Sequence, residues 1–157
     1  MIDEDVQLDI AACAHAATVC ACFNFRKASR AVTQHFDELL HPTGLRSTQL
    51  VILLAVAVYE SSGMAELARA LVMDRSTLTR NLRPLINQGL LTLNLGQDRR
   101  TRLIQLTPAG RKSLQVAIPV WEKAQSDFVA QLGDDRWTTL LGLLGQTVKV
   151  VLADLKP

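Results

Sequence analysis

What these 157 residues lack narrows their function quickly. There is no GxxxxGKS or GxxxxGKT phosphate loop and no HExxH pair, the spacings that nucleotide and zinc chemistry require. His15, His35 and His41 are scattered, and Ser76 and Thr77 have no His base beside them. With no nucleophile, acid–base or metal constellation, an enzyme is not expected and no cofactor is implied. No run of about 18 uncharged apolar residues is present to span a bilayer, so no membrane partner is expected. The opening stretch MIDEDVQLDIAACAHAA is acidic and lacks the basic start of a secretory signal, which predicts a cytoplasmic protein. Cysteine is scarce too: Cys13, Cys20 and Cys22 are an odd number within one short segment, which excludes a disulfide framework.

What is present is apolar and unevenly charged. Hydrophobic residues make up 48% of the chain, enough for a packed core in one unit with helical extensions. The net charge of +2 hides a division. Between Glu66 and Lys112 stand nine Lys or Arg and three acids, while the remainder holds eight bases and twelve acids. A basic centre in an acidic frame is the footprint of a nucleic-acid reader, because neutralising phosphates supplies most of such binding.

Periodicity orders the elements. From about Val6 to Leu40 no Pro or Gly intervenes, and apolar residues recur every three or four positions, which predicts one long helix. Pro42 and Gly44 end it. Ser47 reads as the N-cap of a second helix through about Tyr59, apolar nearly all round and therefore buried. Ser61, Ser62 and Gly63 break the chain, and Met64 to Leu71 form a short helix with Leu67 and Leu71 inward. Asp74 caps the next helix, which runs to about Gln88. Leu78, Leu82, Leu85 and Ile86 form its buried stripe, and Ser76, Thr77, Thr79, Arg80 and Arg83 are left on the open side. Pro84 predicts a slight bend, and Gly89 suits the position after the helix.

Leu91, Leu93 and Leu95 alternate with polar residues at strand spacing, and a second strand ends near Leu106. The turn between them carries Asp98, Arg99 and Arg100, followed by Arg102. Thr107-Pro108 starts a further helix, with Thr as N-cap and Pro at its first position. That helix presents Leu114, Ile118, Trp121, Phe128 and Leu132, with a kink expected at Pro119. After Gly133-Asp134 a last helix carries a stripe from Trp137 through Leu144 and Val148 to Leu155. Such a stripe would be an aggregation hazard in a monomer, so a homodimer is expected.

Helix, turn, second helix and a basic hairpin make a winged helix-turn-helix. The second helix of such a unit enters the major groove of double-stranded DNA, and the hairpin suits phosphates or a minor groove. The fold class is mainly α (α+β). Residues 47–106 are the winged helix-turn-helix, and 1–46 with 107–157 form a helical dimerisation region. Arg100 suits the negative potential of a narrow minor groove, and Asp98 can hold its guanidinium. The alternative from another class is a winged-helix protein-interaction module without sequence-specific DNA binding.

The run Asp74-Arg75-Ser76-Thr77-Leu78-Thr79-Arg80, the wing Asp98-Arg99-Arg100 and the segment Leu106-Thr107-Pro108-Ala109-Gly110 resemble the MarR family of bacterial transcription regulators, from about residue 20 to the C-terminus. The resemblance implies a triangular homodimer on a pseudo-palindromic operator, with Asp98 orienting Arg100. It also implies a repressor released by an unknown small-molecule effector or by cysteine oxidation. Cys22-Phe23-Asn24-Phe25 resembles the sensing segment of OhrR-type regulators, which makes Cys22 the candidate redox sensor. The tyrosines of that branch are replaced here by Arg26, Phe36 and Ser47, and the only tyrosine is Tyr59.

Arg26, one turn from Cys22, can lower a thiol pKa, while free cysteines often only fill space. In a regular helix Cys20 and Cys22 face different directions and cannot share a metal. Cys13 and Cys20 share a face, but about 10 Å of helical rise prevents a disulfide. The signal is expected to act between the first two helices and the helix starting at Thr107, where an apolar or aromatic acid would alter the spacing of the two DNA-reading heads.

Overall fold

The computed structural model describes residues 8–59, 63–95 and 102–154. Seven α-helices and one antiparallel hairpin follow in order: α1 (Ile10–Val19), α2 (Ala21–Leu40), α3 (Ser47–Val58), α4 (Met64–Ala70), α5 (Arg75–Asn87), β1 (Leu91–Leu95), β2 (Arg102–Leu106), α6 (Pro108–Leu132) and α7 (Asp134–Asp154). A short 3-10 turn, His41–Thr43, joins α2 to α3, and Gly44 beyond it takes φ 75°. The mainly helical winged architecture is the one the periodicities predict.

The predicted single N-terminal helix is two. Cys20 leaves the helical region with ψ 118°, between α1 and α2. No Pro or Gly marks the place; polar side chains make the break tolerable. The Asn24 amide donates to the carbonyls of Thr18 at 3.0 Å and Cys20 at 2.9 Å. The Thr18 hydroxyl donates back to Ala14 O at 2.9 Å, a bond that tends to bend helices. Cys20 and Cys22 therefore do not share one regular helix, as Cys20 lies at the break and Cys22 in α2.

Helix α3 begins one residue earlier than expected, with Arg46 rather than Ser47 as its cap. Ser47 is its first residue, and its amide and hydroxyl both donate to Asp37 Oδ1 at 2.6 Å. Arg46 holds the cap position, with its amide donating to Gln49 Oε1 at 2.9 Å. Leu50, Ile52, Leu53 and Val56 are buried as expected, but Val51 and Val58 are exposed, so the helix is not covered all round.

The core centres on the winged part. Leu40, Leu53, Leu67, Leu78, Leu82, Leu85, Leu91 and Ile104 are almost wholly excluded from solvent. Each such side chain contributes on the order of 1.5–3 kcal/mol through removal of apolar surface from water. Ile86 and Leu71, expected in the core, are half-buried. β1 and β2 pair with Leu91 opposite Leu106, Leu93 opposite Ile104 and Leu95 opposite Arg102. The alternation fades outward, from buried Leu91 to exposed Leu95, as the hairpin leaves the core.

Pro84 lies inside α5 and Pro119 inside α6, both continuous helices. α6 seats Leu114, Ala117 and Ala124 in the interior. α7 keeps Leu141, Leu143, Val148, Val150 and Val151 exposed. No single helix among the described residues is long and apolar enough to cross a membrane.

Candidate nucleic-acid interface

The turn between α4 and α5 fixes the angle at which the second helix is presented. Met73 N donates to Ala68 O at 2.8 Å and Val72 N to Arg69 O at 3.2 Å, the paired bonds of a Schellman ending. Val72 takes φ 52°, the left-handed position usually given to glycine. The chain then extends through Met73 and Asp74 before α5 begins.

Asp74 is the N-cap, as its sequence position predicts. Oδ1 accepts from Thr77 N at 2.7 Å and from the Ser76 hydroxyl at 2.6 Å, and Oδ2 accepts from the Thr77 hydroxyl at 2.8 Å. The Ser76 hydroxyl, then the amide and hydroxyl of Thr77, hold the carboxyl well below its ordinary pKa of 3.8. Thr77 is half-buried rather than open as expected, because its side chain folds onto this cap. Its oxygen also accepts from Arg80 Nη2 at 3.1 Å, so a line of hydrogen bonds runs Arg80–Thr77–Asp74.

Ser76, Thr79, Arg80 and Arg83 are exposed along α5, with Arg75 at its start. The Thr79 hydroxyl donates to Arg75 O at 2.7 Å, leaving oxygen lone pairs and a methyl group for an outside partner. Asp98, Arg99 and Arg100 fall in the segment joining β1 to β2 and lie outside the described residues. Arg102, at the start of β2, is exposed.

Behind the interface, Thr107 ties the wing to the end of α5. The end of α5 is itself a second Schellman ending, with Leu90 N on Leu85 O and Gly89 N on Ile86 O, both 2.9 Å, and Gly89 at φ 69°. The Thr107 hydroxyl donates to Gly89 O at 2.6 Å and accepts from Gly110 N at 3.0 Å. Thr107 N donates to Leu90 O at 3.1 Å. The N-cap role of Thr107 was legible; its crosslink to the recognition helix was not, since that bond spans seventeen to eighteen positions.

A cavity of about 800 Å³ lies where α2, α3, α6 and α7 meet, bordered on the winged side by Met73 and Asn81. It occupies the junction singled out in the sequence. Cys13, Cys20 and Cys22 are free and exposed. Among the described residues no three of His, Cys, Asp or Glu gather to hold a metal ion.

A capped recognition helix set by a short turn and followed by a two-stranded wing defines a winged helix-turn-helix DNA-binding protein. No protein-family model matches the chain. It is 38% identical to the Mycobacterium tuberculosis transcriptional regulator MosR, solved in complex with DNA, over 84% of this chain and 98% of that one, at a TM-score of 0.74. A probable transcriptional regulator from Pseudomonas aeruginosa is 25% identical over 83% of this chain and 98% of its own, also at 0.74. The organic hydroperoxide resistance transcriptional regulator of Bacillus subtilis is 29% identical over 100 residues, which are 63% of this chain and 68% of that protein. The chain belongs to the MarR family of winged-helix transcription regulators and is a DNA-binding regulator, not an enzyme.

Proposed function

We propose that the chain is a homodimeric repressor that leaves a pseudo-palindromic operator when a small molecule enters the cavity at the helix junction. The observation that carries this reading is the position of the cavity. Met73 in the turn and Asn81 on the recognition helix form one side, and α2, α6 and α7 form the other. An occupant there touches both the DNA-reading element and its support. Two reading heads must reach major grooves about one helical turn apart, so a small rotation of α5 against α6 forbids simultaneous docking.

In this reading residues 47–106 are the reading head, and 1–46 with 107–157 the dimerisation arms. The exposed apolar residues of α7 support pairing with a second copy, because such a face is unfavourable in water. Thr79 and Arg80 touch base edges, Ser76, Thr77 and Arg83 sit at the backbone, and Asp98, Arg99 and Arg100 serve the wing. The MosR likeness, solved with DNA, favours this over a protein-interaction module.

The test is operator titration with and without a panel of aromatic compounds, beside light scattering of the free protein. Release by a compound and a mass near twice 17.3 kDa are expected. A stable monomer at micromolar concentration, or an operator affinity no compound alters, defeats the reading.

A second reading has its own support. Cys22 is exposed in the first turn of α2, and the Bacillus subtilis relative is named for organic hydroperoxide resistance. Oxidation of Cys22 would then supply the signal. Peroxide-driven release that disappears in Cys22→Ser supports it, and indifference of the wild type to peroxide removes it.

A further inference from the structure

The chain is poor in aromatic residues, with four Phe, two Trp and one Tyr. Five of these seven, Phe25, Phe36, Trp121, Phe128 and Trp137, line the one cavity at the helix junction. They come from α2, α6 and α7, so no local periodicity accounts for the concentration. Phe36, Phe128 and Trp137 form an edge-on series, with centroids 6.1 Å and 5.7 Å apart. Such a wall offers ring faces and ring edges to a flat guest.

The rest of the lining is equally selective. Its polar side chains, among them Asn81, Gln125, Ser29 and Thr33, are amides and hydroxyls, and none of the described lining residues is ionisable. A carboxylate entering this space would lose its hydration and meet no cation in return, which is strongly unfavourable. A neutral oxygen fares better. Among the described residues, the Asn81 amide donates only to the thioether of Met73, at 3.7 Å, and sulfur is a weak acceptor. A ligand oxygen would take that donor from Met73.

We infer that the cavity takes an uncharged aromatic molecule bearing a neutral oxygen, and discriminates against aromatic carboxylates. This rests on the cavity being the effector site, and it departs from the aromatic acid that the sequence alone suggested. Asn81 would accept the exchange of partner directly on the recognition helix, next to Arg80. The ligand class and its route to the DNA-reading face are thus given by the same side chain.

The probes are 2-naphthol and 2-naphthoate, which match in ring system. At pH 7 a phenol is neutral and a carboxylic acid ionised. Equilibrium dialysis of the full chain should show 2-naphthol binding at least about tenfold more tightly, a difference of about 1.4 kcal/mol. Ala28→Phe, which fills the cavity from α2, should abolish the binding; Val51→Trp at its border gives the same reading if that variant does not fold. Equal or tighter binding of 2-naphthoate overturns the charge selection and leaves the cavity as a ligand site. Retention of neither probe, or binding unaffected by the filling variants, overturns the inference together with the site. Saturable 2-naphthol binding that leaves operator affinity unchanged upholds the ligand class while defeating the effector role.

Discussion

Gly110 lies so close to Leu90 that a Cβ built on it would sit 2.1 Å from the Leu90 carbonyl oxygen. The first turn of α6 thus rests directly on the backbone that leaves the recognition helix. The same carbonyl accepts from Thr107 N at 3.1 Å, so close approach and hydrogen bonding hold one point. Gly110→Ala must push α6 away from the end of α5. We expect a loss of about 3 kcal/mol, the upper range for overpacking against an unyielding neighbour. Urea denaturation checks it, and an unchanged midpoint would mean that the contact relaxes freely.

Val72 offers the opposite case. A β-branched residue at φ 52° is strained, and its side chain is 56% exposed, so little packing opposes its removal. Relief of left-handed strain, roughly 1–2 kcal/mol, outweighs the added chain entropy of glycine at this position. Val72→Gly should therefore raise the melting temperature while keeping the bond from Met73 N to Ala68 O. A lower melting temperature would show that the valine side chain, not the turn geometry, sustains the angle between α4 and α5.

Asp74 makes helix presentation depend on pH. Its carboxyl is depressed below 3.8 in the folded protein by Ser76 and Thr77. A depressed carboxylate adds stability that is complete above the unfolded value and is lost as pH falls through the folded one. The Asp74 contribution should thus be intact near neutrality and fade only in acid below 3.8. Asp74→Ala should lower the melting temperature at pH 7 and shrink the difference from wild type in acid. Because Thr77 braces Arg80, the same variant should weaken operator binding. A melting difference that stays constant with pH would remove the carboxylate from the cap.

Arg80 and Arg83 should separate in their effects on DNA. If Arg80 reaches a base edge, Arg80→Ala should relax preference at one base position per half-site, with a loss of about 1–3 kcal/mol on the preferred sequence. Arg83→Ala should weaken all sequences alike and lower the salt slope by about one. Binding-site selection with each variant distinguishes the two. An identical motif and slope for Arg80→Ala would move base reading to other residues.

Much of the reading head was legible because its signals act over three or four residues. The cap at Asp74, the cap at Thr107 with Pro108 behind it, Gly89 after α5 and the stripe Leu78–Leu82–Leu85 are local statements about backbone bonds and one helical face. The neighbouring sequence is enough to make them. The break at Cys20 escaped the same logic. No helix-breaking residue marks it, and the carbonyls it frees are satisfied by an Asn24 side chain reaching back to Thr18 and Cys20.

What only the tertiary structure decided lies between elements distant in the chain. The Gly110–Leu90 approach joins α6 to the end of α5, and Thr107 adds a bond that its own helix does not need. The cavity takes rings from positions between Phe25 and Trp137 and a single amide from the recognition helix. Periodicity says which face of each helix is apolar, but not which faces meet or where they fail to fill space. The sequence by itself determined a winged helix with a basic reading face. Packing between helices determined the uncharged aromatic chamber behind it, because a cavity is a property of facing surfaces rather than of any one segment.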